Sequence, residues 1–184
     1  SLRQGGRAID LPGAVTCSIL PGAPHSQQLA QQAKDAGKEI MLHLPMQGSV
    51  HKIEPDSLSP EMTETDFREI LRRQLGAMPA AVGVNNHMGS SVTPLPDQMN
   101  WLMDELADRA LYFVDSRTTH LTVTAEAAHT HNVAFTERDV FLDNDEDPAA
   151  IEKAFQQLIR KAKKRGQAIG IAHARRSTLV VLEQ

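Results

Sequence analysis

The sequence predicts an α/β fold, a parallel sheet covered by helices. Three observations carry that prediction. Short apolar runs alternate with longer amphipathic segments about six times along the 184 residues. The short runs are apolar almost throughout, as in strands buried on both faces. The segments between them carry residues that start and stop helices.

The first strand is predicted over residues 14–20, with Cys17 as a core residue. An alanine- and glutamine-rich helix follows over 25–36 and stops at Gly37. Residues 39–44 form the second strand. The stretch 45–62, with several Pro and Ser residues, reads as a long loop, either functional or a surface excursion. Thr63 and Asp66 resemble a capping box, after which Phe67, Ile70, Leu71, Leu75 and Met78 share one helical face. Residues 80–85 form the third strand, and Asp97 is read as the cap of a helix containing Trp101, Leu102, Glu105 and Leu106. Strands are predicted over 111–114 and 133–142. Asp147 and Pro148 open a helix whose stripe is Ile151, Phe155, Leu158, Ile159 and Ala162, ended by Gly166. A last strand covers 167–172. An open doubly wound sheet and a barrel both satisfy this order.

Bulk properties exclude several classes. A hydrophobic fraction of 41% and a charged fraction of 23% are ordinary globular values. No apolar run approaches the ~20 residues that span a bilayer. The net charge of -4 gives no reason to expect a nucleic-acid partner, and the basic run at 160–165 reads as a solvated helix face. A single cysteine rules out an internal disulfide. With no repeat or linker, residues 1–184 read as one domain. No signal peptide is visible, and the chain, starting at Ser1, reads as part of a longer protein.

The chemistry is read from position. The predicted strands run into His43, His87, Asp115, Asp143 and His173. In parallel α/β folds the C-terminal strand ends share one face, and that face holds the active site. Each residue alone has a plain structural reading: a histidine bonded in a loop, an aspartate capping a helix. The joint placement favours one shared site. His25, His51, His120, His129 and His131 lack such placement and read as helix, loop or surface residues. There is no His-Glu-x-x-His, glycine-rich phosphate loop, Gly-x-Ser-x-Gly elbow or paired-cysteine motif. Imidazole with carboxylate suits Zn²⁺ or a related divalent ion, and metal-assisted hydrolysis of an amide or ester is the natural reaction class.

The strings His43-Leu-Pro-Met, Asn85-Asn-His-Met-Gly-Ser90, Phe113-Val-Asp-Ser-Arg-Thr118, Phe141-Leu-Asp143 and Ile169-Gly-Ile-Ala-His173 resemble, in order and spacing, the successive motifs of the divergent polysaccharide deacetylases. The resemblance spans nearly the whole chain. It implies a distorted (β/α) barrel and an exported periplasmic or envelope protein acting on a glycan. It also implies His43 and His87 as metal ligands, His173 as the acid that protonates the leaving amine, and Asp115 as the residue that orients or charge-tunes His173. Asn86, Ser90, Arg117 and Asp143 would meet substrate. In the wider group an Asp-Asp pair after the first strand supplies the base and a metal ligand. No such pair precedes Ala14, so that strand is expected upstream of Ser1. The family often follows its last histidine with Pro and His, where this chain has Ala174, Arg175 and Arg176. The two arginines either favour an anionic glycan or face water. The leading expectation is a metal-dependent deacetylase of an N- or O-acetylated envelope polysaccharide. Its rivals are a non-catalytic glycan-binding or scaffold protein on the same fold, and a metal-dependent cell-wall amidase.

Overall fold

The computed structural model describes residues 1–49 and 56–184. His51 and the middle of the 45–62 stretch therefore lie outside the described residues. In chain order the elements are α1 (Leu2–Ile9), β1 (Cys17–Ile19), α2 (Ser26–Asp35), β2 (Ile40–Met46), α3 (Glu64–Ala77), β3 (Gly83–Met88) and α4 (Pro96–Ala107). They continue with β4 (Tyr112–Asp115), α5 (Thr124–Thr130), β5 (Phe135–Glu137), β6 (Val140–Phe141), α6 (Pro148–Arg165), β7 (Gly170–Ile171) and α7 (Arg176–Leu182).

The fold is α/β, as the alternation predicts. Strands β1 to β5 pair in sequence order, β6 pairs with β7, and every pairing is parallel. Because consecutive strands are neighbours and all run the same way, each intervening helix returns the chain to the same end. The C-terminal ends therefore share one side.

Period-two alternation along β2 and β3 separates two faces. Leu42, Leu44, Val84 and Phe113 are fully buried and join a core with Phe67, Leu71, Leu102 and Leu106 of α3 and α4. The opposite face carries His43 level with Asn85, and Pro45 level with His87. The core thus fixes which side chains the other face presents. A second buried set, Val140, Leu142, Ile151, Leu179 and Val181, belongs to β6, α6, α7 and the residue after β6.

Several boundaries differ from the sequence reading. Residues 133–142 are two strands, not one. Arg138 N still donates to Asp115 O at 2.9 Å, but Asp139 N and Val140 N both donate to Ile169 O. The chain changes partner strand at that step, so the ladder breaks. Asp97 is not the cap of α4: Leu95 holds the N-cap position and Pro96 the first turn, with Asp97 beside it. Thr63 does cap α3, accepting from Asp66 N, and Asp147 caps α6, accepting from Ala149 N. Gly166 closes α6 at φ 84, the left-handed position glycine adopts freely. Cys17 is only partly buried, packed against the edge of the core.

Candidate active site

His43 and His87 come together from adjacent strands. Their rings meet edge to face with centroids 4.7 Å apart, and His87 Nδ1 lies 3.0 Å from His43 Nε2. The other nitrogen, His43 Nδ1, lies 3.0 Å from Asn85 Oδ1. Hydrogen-bond accounting sets the tautomer. The Ser116 hydroxyl has one proton, which it donates to Asn86 O at 2.7 Å. Ser116 Oγ must then accept from Asn85 Nδ2, 3.1 Å away. That turns Asn85 Oδ1 toward Ser18 Oγ and His43. An amide oxygen only accepts, so His43 carries its proton on Nδ1 and presents a lone pair at Nε2. Burial, followed by the nearness of His87, pushes His43 down to about 3, the Asn85 bond only partly opposing this. The ring is therefore neutral at physiological pH.

A second pair lies across the mouth. Asp143, fully buried, accepts from His173 N at 2.8 Å and from Thr178 Oγ1 at 2.8 Å, and its Oδ1 lies 3.1 Å from His173 Nδ1. A carboxylate holding Nδ1 leaves Nε2 of the half-exposed His173 as the atom available to a ligand. Burial alone would raise the Asp143 carboxyl. The hydrogen bonds from His173 and Thr178 outweigh it and hold the group below the usual carboxylate range. Phe141 meets the His173 ring edge to face at 5.5 Å, and the Arg138 guanidinium lies over the Phe141 ring, 5.2 Å from its centroid. Arg138 is anchored by Ser116 O and Arg117 O, so this stack reaches back to the loop that supports Asn85. His173 is near enough for its charge to act on His43.

The remaining expected residues sit differently. The resemblance implies that Asp115 orients or charge-tunes His173, and the structure corrects the orienting role: Asp143 makes that contact. The buried Asp115 carboxylate is taken up by Arg117 N, Thr122 Oγ1 and Thr124 Oγ1, and it shapes the loop after β4. Asn86 and Asp143 were expected to meet substrate, but neither is exposed. Asn86 accepts from Ser116 N and donates to Met88 O, holding the turn where Met88 and Gly89 take positive φ. Ser90 Oγ accepts from Ser49 N at 2.9 Å, joining the loops after β2 and β3. Arg117 pairs with Glu137 at 2.8 Å, near the surface. The sequence reading missed Asn85, Ser116, Phe141 and Arg138 as site-building residues. Asn85 had a usable signal, since it stands two residues before His87 on the same strand face.

The donor set agrees with part of a zinc site. Two nitrogens on one tetrahedral Zn²⁺, each at ~2.1 Å, stand about 3.4 Å apart. The 3.0 Å between His43 Nε2 and His87 Nδ1 needs only a few tenths of an ångström of adjustment. Among the described residues no group of three or more His, Cys, Asp or Glu is arranged to hold a metal. Two nitrogens are one fewer than the three protein ligands that a catalytic zinc usually takes.

Comparison with known proteins agrees with the motif strings. A family model for divergent polysaccharide deacetylases matches residues 1–184. An uncharacterized protein of Haemophilus influenzae is 34% identical over 183 residues, and the uncharacterized protein YibQ of Escherichia coli is 36% identical over 179. The matches cover 65% and 56% of those proteins, so the chain spans less than two thirds of either relative. The crystal structure of the uncharacterized protein ATU2773 from Agrobacterium tumefaciens superposes with a TM-score of 0.94. It is 25% identical, and the match covers 100% of this chain and 76% of that one.

Proposed function

The chain belongs to the divergent polysaccharide deacetylase family, and from that premise we propose that it takes part in metal-dependent removal of acetyl groups from an N- or O-acetylated polysaccharide of the periplasm or cell envelope. The observation that carries this reading is the pair of imidazoles, one held neutral with its lone pair turned toward the other, facing a carboxylate-held histidine.

His43 and His87 would hold the divalent ion, Zn²⁺ being the ion their nitrogens suit best. When bound, such an ion polarises an acyl carbonyl and makes water acidic enough to attack it near neutral pH. The protein's own groups do the rest. Asn85 keeps the proton of His43 on Nδ1, so Nε2 is always ready as a ligand. Asp143 holds His173 at Nδ1 and leaves Nε2 outward, where it can deliver a proton to the departing amine or hydroxyl. Phe141 and Arg138 limit the motion of the His173 ring.

The third ligand and the base belong, in this reading, to a strand upstream of Ser1. Among the described residues β1, β5, β6 and β7 each have a strand on one side only, and the chain steps directly from β5 to β6, which leaves β1 and β7 as the outer edges. Helix α1 touches both α2 and α7 and so bridges the gap between those edges. A parallel strand entering that gap would end at the same mouth and close the barrel.

The test is metal content and acetate release from an acetylated glycan, measured on the protein extended upstream. One bound divalent ion is expected, lost in His43→Ala and His87→Ala. His173→Gln should keep the metal and lower turnover roughly 10²- to 10⁴-fold. Metal bound with no acetate from any acetylated glycan would favour the non-catalytic reading, and peptide in place of acetate the amidase.

A further inference from the structure

In the segment that follows His173 lies a shallow, open cleft of about 590 Å³ lined by Gln4, Glu146, Arg175, Arg176, Ser177 and Val180, among others. Its polar groups divide unevenly. Arg175 Nη1 donates to Asp143 O at 3.0 Å and lies 3.3 Å from Glu146 Oε1. The one carboxylate in the lining is therefore already paired, and the same guanidinium braces the residue that holds His173. The other groups are donors without acceptors. Arg176 has no ion pair or hydrogen bond among the described residues. Gln4 Oε1 accepts from Ser1 Oγ at 2.8 Å, which leaves its Nε2 to donate. Ser177 has its hydroxyl uncommitted among the described residues, and Val180 adds an exposed apolar contact.

We propose that this cleft binds a carboxylate on the glycan, so that the acyl group at His173 is selected on a chain that also carries an acidic sugar or a carboxyl substituent. One unpaired guanidinium beside two neutral donors matches a planar monoanion, which a guanidinium can take with two parallel hydrogen bonds. Position agrees. Arg176 follows His173 by three residues, at most about 11 Å of chain, so a ligand in the cleft has neighbouring groups within reach of the His173 ring. The inference deepens the deacetylase reading by naming the substrate class, and its test is a binding measurement that needs no turnover.

Titration calorimetry at low ionic strength compares four probes on the purified chain: a short oligogalacturonate, its methyl ester, a neutral oligomer of N-acetylglucosamine, which should bind no better than the ester, and a glycerol phosphate oligomer. The free acid should bind about tenfold more tightly than the ester, as a charge-assisted hydrogen bond implies. Added salt should narrow the difference. Arg176→Gln should abolish the preference and Ser177→Ala weaken it, while His173→Gln should keep it. Equal binding of acid and ester overturns the proposal, as does a preference that survives in Arg176→Gln. Tighter binding of a glycerol phosphate oligomer than of the acid overturns the carboxylate assignment. A retained preference with no acetate release would sink the deacetylase reading and leave this one standing.

Discussion

The His173–Asp143 pair shows how one carboxylate can serve structure and chemistry together. Its depressed proton affinity is a statement about stability. The folded value lies below the unfolded value of about 3.9, so the contribution is present above that pH and is lost as pH falls through the folded value. Asp143→Asn should cost roughly 2 kcal/mol at neutral pH, since it weakens the acceptor for His173 and Thr178. Urea unfolding from pH 7 down to 2 is the check: the gap between wild type and variant should close in acid. A gap of constant size would mean that the ionised carboxylate is not what matters. The same residue marks a limit of sequence reading. Asp115 ends β4 and Asp143 lies just past β6, and only the tertiary structure tells which of them holds His173.

Among the elements, β3 shows how packing constrains a single position. Gly83 begins it because the Tyr112 ring lies over that position, and an added Cβ would overlap it. Tyr112 is held there by its hydroxyl, which donates to Glu39 Oε1. Gly83→Ala should destabilise the chain by about 1–3 kcal/mol. In a Tyr112→Ala background that cost should shrink, because the overlap is gone; equal costs in thermal melts of both backgrounds would reject the explanation. Long amphipathic elements were legible in the sequence, as α3 and α6 show with their caps at Thr63 and Asp147. Helices α1, α5 and α7 were not. They have eight, seven and seven residues, about two turns, too short to show a period. The break inside 133–142 was equally silent, since a strand that changes partner stays apolar throughout.

The whole molecule has two unequal parts. Strands β1 to β5 share one large core with α3 and α4, whereas β6 and β7 pair at two positions only and rest on α6, which in turn carries α7. Local opening follows contact density. Native-state hydrogen exchange should therefore show amides of Val140–Phe141 and Gly170–Ile171 exchanging by a lower-energy opening than those of β2 and β3. Equal protection would mean that the two parts unfold as one. If the difference is seen, His173 rides on the looser part and His43 and His87 on the firmer one, so the mouth can widen without unpairing the imidazoles.

Periodicity and punctuation in the sequence were sufficient for a parallel α/β fold. They were also sufficient to send Asp115, Asp143 and His173 to the C-terminal ends of strands and His87 close to one, because the direction of a strand follows from chain order and the returning helices; His43, expected at a strand end, lies in the middle of β2, which runs on to Met46. The motif strings further named the family, which the match over residues 1–184 bears out. Which of those residues touch was decided by tertiary structure alone. His43 meets His87 across 44 positions and Asp143 meets His173 across 30. Such contacts depend on strand register and on the rotation of one strand against the next. No local pattern encodes either quantity, since both emerge when the core on the far face of the sheet closes.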